Sequence, residues 1–126
     1  MIKLYNTNLE TNKLESVDTY TRGTWIHMVD PSEEEIKEVC QNVNIKEDFI
    51  RYALDNEEKA RIDVEDEDDT ILFIIDIPVT EKSQSGGYMY ATMPIGMIVV
   101  RDDFFITVTL RAVSYTHLRA HETSQD

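Results

Sequence analysis

The sequence predicts an α+β domain, a mainly antiparallel sheet with two consecutive helices packed on one face. Three observations carry this reading. Helical periodicity is confined to two adjacent segments between Ser32 and Asp55. Runs rich in β-branched and aromatic residues lie on both sides of them, and the later runs are separated by short turn-forming segments, as in a meander. At 126 residues the chain makes one domain, large enough to bury one real core. It carries no internal repeat and no inner boundary.

Ile2 to Tyr5 alternates enough to form a short strand, and residues 6–23 are polar and turn-rich, with strand pieces around Lys13–Val17. Thr24–Val29 (TWIHMV) is rich in strand formers. Trp25 is expected to pack at a sheet face, and His27, alternating with Ile26 and Met28, to be a surface strand residue. Asp30-Pro31-Ser32 then opens a helix, with Asp30 or Ser32 as cap and Ser32 with Glu35 as a capping box. Pro31 suits the first turn, where its missing N–H costs nothing. Glu33, Glu34 and Glu35 face the positive end of the helix dipole, each worth about 0.3–1 kcal/mol. That is a sufficient structural explanation for them. Ile36, Val39, Cys40 and Val43 form one buried stripe, which makes Cys40 a core residue. Asn42 to Asn44 breaks the helix, and a second runs from Lys46 to Asp55, burying Phe49, Ile50, Ala53 and Leu54.

Arg61–Val64 reads as a strand, Glu65–Asp69 as a turn and Thr70–Thr80 as a long strand. Leu72, Phe73, Ile74, Ile75 and Ile77 place apolar groups on both faces, so this strand is expected at the centre of the sheet. Asp76 should lie near a sheet end or pair with a basic group, and Pro78 should end regular pairing. Residues 81–87 (EKSQSGG) form a hairpin loop. Tyr88–Val100 and Phe104–Leu110 are the last strands, joined by Arg101-Asp102-Asp103, with a bulge or kink expected at Pro94 and Gly96.

The formal charge of −13 argues against nucleic acid and anionic membranes as partners and favours cations or a basic protein. One cysteine excludes an internal disulfide and fits a reducing compartment. Met1 leads into strand-like IKLY rather than a secretion signal, and no apolar run reaches the ~18–20 residues of a membrane span, so the chain reads as soluble. No glycine-rich loop precedes a helix, so no phosphate cradle is present. No serine or cysteine has a histidine partner for a nucleophilic triad, and no carboxylate pair stands out for acid–base work, so the chain does not read as an enzyme. The candidate site is acidic. Eight carboxylates lie between Glu57 and Asp69 against Lys59 and Arg61, and hard cations take such oxygens, which makes Asp66 and Asp68 candidate ligands. The turn lacks the central glycine and spaced glutamate of a calcium loop, and the competing reading is a solvated turn that guards the sticky strand behind it.

The last residues, VSYTHLRAHET from Val113 to Thr123, resemble a translated transposase sequencing adapter over eleven consecutive positions. That resemblance implies a native domain over residues 1–111 and a non-native, disordered tail over 112–126. It also removes His117, His121 and Glu122, which imitate a zinc site, from consideration.

Within residues 1–111, four ordered pieces resemble the N-terminal cytosolic domain of the CorA family of magnesium and cobalt transporters: TWIHMVDPSEEEI, FIRYALDNEEKARID, TILFIIDIPV and TMPIGMIVVRDDFFITVTL. The phrase Leu54-Asp55-x-x-Glu58-x-x-Arg61 is the most characteristic, together with Asp30-Pro31 after a tryptophan strand and Met93-Pro94-Ile95-Gly96 before the last strands. The resemblance implies a CorA soluble-domain-like fold, part of a funnel in a homopentamer in the cell (inner) membrane, with this domain in the cytoplasm. In the family a long stalk helix and two membrane helices follow, with a Gly-Met-Asn tripeptide at the end of the first. Gly96-Met97-Ile98 is not that tripeptide, so the chain itself does not conduct. Mg²⁺ and Co²⁺ are the implied substrates. The resemblance also implies a regulatory Mg²⁺ between neighbouring funnel domains, held partly by an acid near the end of the second helix. Tyr52 falls there, with Asp55 one turn on as a substitute. Asp55, Glu58 and Arg61 pairing with one another is the structural alternative. A different class of reading is a free-standing acidic α+β module that binds a basic protein.

Overall fold

A computed structural model describes residues 1–55 and 60–112. Its elements run β1 (Ile2–Asn8), β2 (Lys13–Val17), β3 (Thr24–Val29), α1 (Glu33–Val43), α2 (Glu47–Leu54), β4 (Arg61–Glu65), β5 (Thr70–Lys82), β6 (Tyr88–Val100) and β7 (Phe104–Thr109). Among the described residues the strands form one seven-stranded sheet in the order β2-β1-β3-β7-β6-β5-β4. Every neighbouring pair is antiparallel except β3 with β7, which run parallel at the centre.

Local chemistry sets the helix ends. The Glu35 N–H donates to Ser32 Oγ at 3.2 Å, and the Ser32 N–H donates to Glu35 Oε1 at 2.9 Å, so the expected capping box forms. The N-terminal amine donates to the same Glu35 oxygen at 2.9 Å, which ties the start of the chain to α1. Asn44 closes α1 in the left-handed region, at φ 57°, a conformation asparagine tolerates. Arg51 of α2 donates two hydrogen bonds to the Glu33 carboxylate, at 3.1 and 2.5 Å, and joins the helices.

Pairing register sorts the strand residues into two faces. Leu72, Ile98, Ile106 and Ile26 make one row under the helices, and Ile74, Gly96, Val108 and Met28 make the next. Against these rows pack Ile36, Val39 and Val43 of α1 and Phe49, Ile50 and Ala53 of α2, all buried. Gly96 positions α2, because a Cβ there would overlap the Ala53 Cβ and lie 3.3 Å from its Cα. A side chain at that position would hold the helix off the sheet.

Three expectations about the later strands change. β5 is not central but lies next to the edge strand β4. Its two apolar faces arise because the face opposite the helices is itself apolar, not because the strand has neighbours on every side. Pro78 does not end pairing: the register continues through Pro78↔Thr92 to Lys82↔Tyr88. Pro94 and Gly96 make no bulge, since Ile77↔Met93, Asp76↔Pro94, Ile75↔Ile95 and Ile74↔Gly96 follow without interruption. The reason is shared. β4 pairs with β5 only as far as Ile74, and β7 pairs with β6 only from Ile95 onward. Beyond those points β5 and β6 pair with each other as a two-stranded arm, whose open outer edges tolerate a missing N–H. The arm projects roughly 25 Å at ~3.3 Å per residue. Asp76 is exposed at its root, and Tyr88, Met89 and Tyr90 are exposed near its tip. The tail reading covers residues 112–126, which apart from Ala112 lie outside the described residues.

Candidate functional site

The acidic turn between β4 and β5 is held by backbone hydrogen bonds and by one cation, Lys46. The Asp69 N–H donates to the Asp66 carbonyl at 3.4 Å, Asp69 takes φ 48°, and Thr70 Oγ1 donates to the Asp68 carbonyl at 2.9 Å. The Arg101 N–H donates to the Asp69 carbonyl at 2.7 Å, which fastens this turn to the one between β6 and β7. Lys46, at the N-terminus of α2, brings Nζ to 3.8 Å from Asp68 Oδ2, an oxygen shielded from solvent and lacking a hydrogen-bond partner. Asp66 and Glu67 point to water.

Asp55 lies at the other end of α2, where it is the C-cap residue. The candidates Asp66 and Asp68 therefore share a turn, and Asp55 is held apart from Lys46 and the turn by the length of a helix. Among the described residues no group of three or more His, Cys, Asp or Glu side chains stands close enough to hold a metal ion. Mg²⁺ requires near-octahedral oxygen coordination, and the described residues of one copy gather no such set of donors.

Tyr52, at the position where the resemblance implies an acid, has another occupation. The Arg61 guanidinium lies over its ring, 5.0 Å from the centroid, and Arg61 Nε is 3.0 Å from Asp63 Oδ2. This cation–π contact fixes the junction between α2 and β4. Glu58, the third member of the expected trio, lies outside the described residues.

The face of the sheet away from the helices carries a cluster that strand alternation does not reveal. Trp25 Nε1 donates to Thr107 Oγ1 at 2.9 Å, and His27 Nδ1 stands 2.9 Å from the same oxygen. Tyr5 packs against Trp25, with ring centroids 5.1 Å apart. Parallel pairing of β3 with β7 sets His27 directly opposite Thr107, a neighbour 80 residues away in the chain. Since the Thr107 hydroxyl accepts from Trp25, its own proton is free to be donated to a neutral His27 Nδ1.

Burial, and then Lys3 opposite His27 on β1, hold the His27 pKa below its ordinary value. The sign follows from linkage. Between the lower folded value and the ordinary value of about 6.5, the unfolded chain binds more protons than the folded one. This contribution is therefore neutral above pH ~6.5 and becomes destabilising as pH falls through that window. Urea titrations at pH 7.5 and at pH 5 are expected to show a smaller acid loss of stability in His27→Gln than in the parent chain. Equal losses would remove His27 from the account. Cys40 is chemically quiet, its thiol pushed up to about 11 chiefly by burial and then by Glu47.

The family model described as CorA-like Mg²⁺ transporter protein matches residues 21–125. Among solved structures, the soluble domain of CorA from Methanocaldococcus jannaschii superposes with a TM-score of 0.71 at 21% identity, covering 100% of this chain and 47% of that one. The complete CorA magnesium transporter from Methanocaldococcus jannaschii gives a TM-score of 0.66 at 17% identity, covering 99% of this chain and 37% of that one. The chain thus spans less than half the length of either solved chain. A comparison with curated proteins finds no match. No helix of the described residues is long and apolar enough to cross a membrane.

Proposed function

This chain belongs to the CorA-like Mg²⁺ transporter protein family, and from that premise we propose that it serves as the N-terminal cytosolic domain of a membrane transporter for divalent cations. The match of the whole seven-stranded fold to a solved CorA soluble domain is the observation that supports this most. In this reading Mg²⁺ and Co²⁺ are substrates of the assembled transporter, a homopentamer. The domain contributes to its funnel and to its response to cations rather than to the pore. A regulatory Mg²⁺ would draw carboxylates from two neighbouring copies, because among the described residues of one copy no three such groups converge.

The gene from which the chain is read tests this directly. The reading frame that encodes the β7 strand should continue into a long charged helix, then two apolar segments of about 20 residues, with Gly-Met-Asn after the first. A stop codon or an unrelated domain there would sink the proposal.

Cation binding by the chain itself is measurable. Millimolar Mg²⁺ is expected to shift the melting temperature equally in the chain and in a variant carrying Asp66→Asn with Asp68→Asn, since a specifically bound ligand stabilises only where it has a site. A rise lost in the double variant would place a cation at the turn.

A further inference from the structure

We propose that the Arg61 guanidinium is the resident cation of the α2–β4 junction, and that it stands where the family resemblance implies a regulatory divalent ion. This deepens the reading above and rests on it for that comparison. Arg61 opens β4, and its register against Ile74 puts it on the helix side of the sheet, with Asp63 next on the same side against Leu72. Its guanidinium lies over the Tyr52 ring, 5.0 Å from the centroid, and its Nε is 3.0 Å from Asp63 Oδ2. One positive group is thus held between the last turn of α2 and the edge strand, with its side chain 35% exposed.

The groups around this position select against a metal. Mg²⁺ and similar hard cations take carboxylate, carbonyl and water oxygens, and a phenol is not among their usual ligands. The face of the Tyr52 ring suits a guanidinium instead, because a planar, weakly hydrated cation stacks on an aromatic face. Asp63, whose oxygens suit a metal, already faces Arg61. A divalent ion entering here meets a like charge.

The other end of α2 repeats the arrangement independently. Lys46, its N-cap residue, brings Nζ to 3.8 Å from Asp68 Oδ2 in the β4–β5 turn. Both ends of α2 therefore meet the β4–β5 hairpin through cations that the chain carries covalently. Such a cation has no dissociation constant, and a guanidinium keeps its charge at every physiological pH. The seat of α2 on the sheet is accordingly independent of the Mg²⁺ level, and the Tyr52 position does not read that level. A regulatory ion in the assembled transporter would take its carboxylates from other positions.

Magnetic resonance of the full chain tests this. The Tyr52 ring current should move the Arg61 δ and ε protons upfield. Tyr52→Leu should abolish that displacement, and millimolar Mg²⁺ should leave it unchanged. With Mn²⁺ as a broadening probe, the Tyr52 and Ala53 amides of the parent should fade no earlier than those of Asp66 and Glu67. Tyr52→Asp with Arg61→Ala replaces the stack by a carboxylate three residues before Asp55, and the same amides should then fade at about tenfold lower Mn²⁺. Arg61→Lys keeps the charge and should behave as the parent. Loss of the ring-current displacement in Mg²⁺ overturns the proposal. So does early fading at Tyr52 in the parent, or a folded double variant that takes up no more Mn²⁺ than the parent. If the double variant does not fold, the ring-current displacement in the parent decides alone. The gene beyond β7 tests the transporter reading separately: an unrelated domain there would sink that reading and leave Arg61 as the cation of the junction.

Discussion

Gly96→Ala is expected to cost the fold at least about 3 kcal/mol, the upper range for overpacking a core. The new methyl would overlap the Ala53 Cβ, and the atom behind it is the Ala53 Cα at 3.3 Å, part of a helix backbone and not a flexible side chain. Relief therefore requires α2 to move as a body. That movement would open the packing of Phe49 and Ile50 against the sheet. A double-mutant cycle tests the cause. Ala53→Gly is expected to cost about 1 kcal/mol as a helix-interior glycine. Combined with Gly96→Ala it should be clearly less destabilising than the sum. Strict additivity in denaturant titrations would show that the close approach is not the source of the loss.

Arg101→Ala is expected to cost about 2–3 kcal/mol, as for a hydrogen bond from a charged donor that leaves its partner buried. α1 has no basic residue in its last turn, and Arg101 supplies that cation from the distant β6–β7 turn, its guanidinium donating to the Val43 carbonyl at 2.5 Å. Its backbone N–H holds the acidic turn through Asp69, and Arg101 itself sits at φ 50°. The backbone and side-chain parts separate experimentally. Arg101→Gly loses the same hydrogen bond but relieves the left-handed conformation, so it should be about 1 kcal/mol more stable than Arg101→Ala. An alanine variant as stable as the parent would remove Arg101 from the junction between α1 and the two turns.

Much of this was legible in the sequence where the physics is local. Ser32 and Glu35 are three residues apart, and a capping box needs nothing else. The stripe from Ile36 to Val43 needs only the helical period, and β2 and β6 have the expected boundaries. What the sequence concealed depends on neighbours. The two apolar faces of β5 suggested a central strand because periodicity cannot distinguish a covered face from an open one. Pro78 and Pro94 read as interruptions because their meaning turns on whether an adjacent strand needs their N–H, and along the arm none does. Gly96 read as a kink because its partner, Ala53, lies 43 positions earlier, beyond any local pattern. For the candidate site, the composition of the acidic turn was plain, but the Lys46–Asp68 approach and the separation of Asp55 from it were not. The Trp25–His27–Thr107 cluster had no local signal, since it exists only once β3 lies beside β7.

That pairing also governs how the fold can be reached. Strands β1 to β3 form one antiparallel unit, β4 to β7 another, and the β3–β7 ladder joins them across some 80 residues of chain. Loop-closure entropy must be met before this ladder returns any energy, so the seam is expected to close last. During synthesis, a nascent chain that has not yet released Phe104–Thr109 holds two half-sheets and a pair of helices, with Ile26 and Met28 still lacking their neighbours Ile106 and Val108. Such a chain exposes an apolar strand edge to solvent and to other nascent chains. Completion of β7 thus converts two incomplete halves into one cooperative unit.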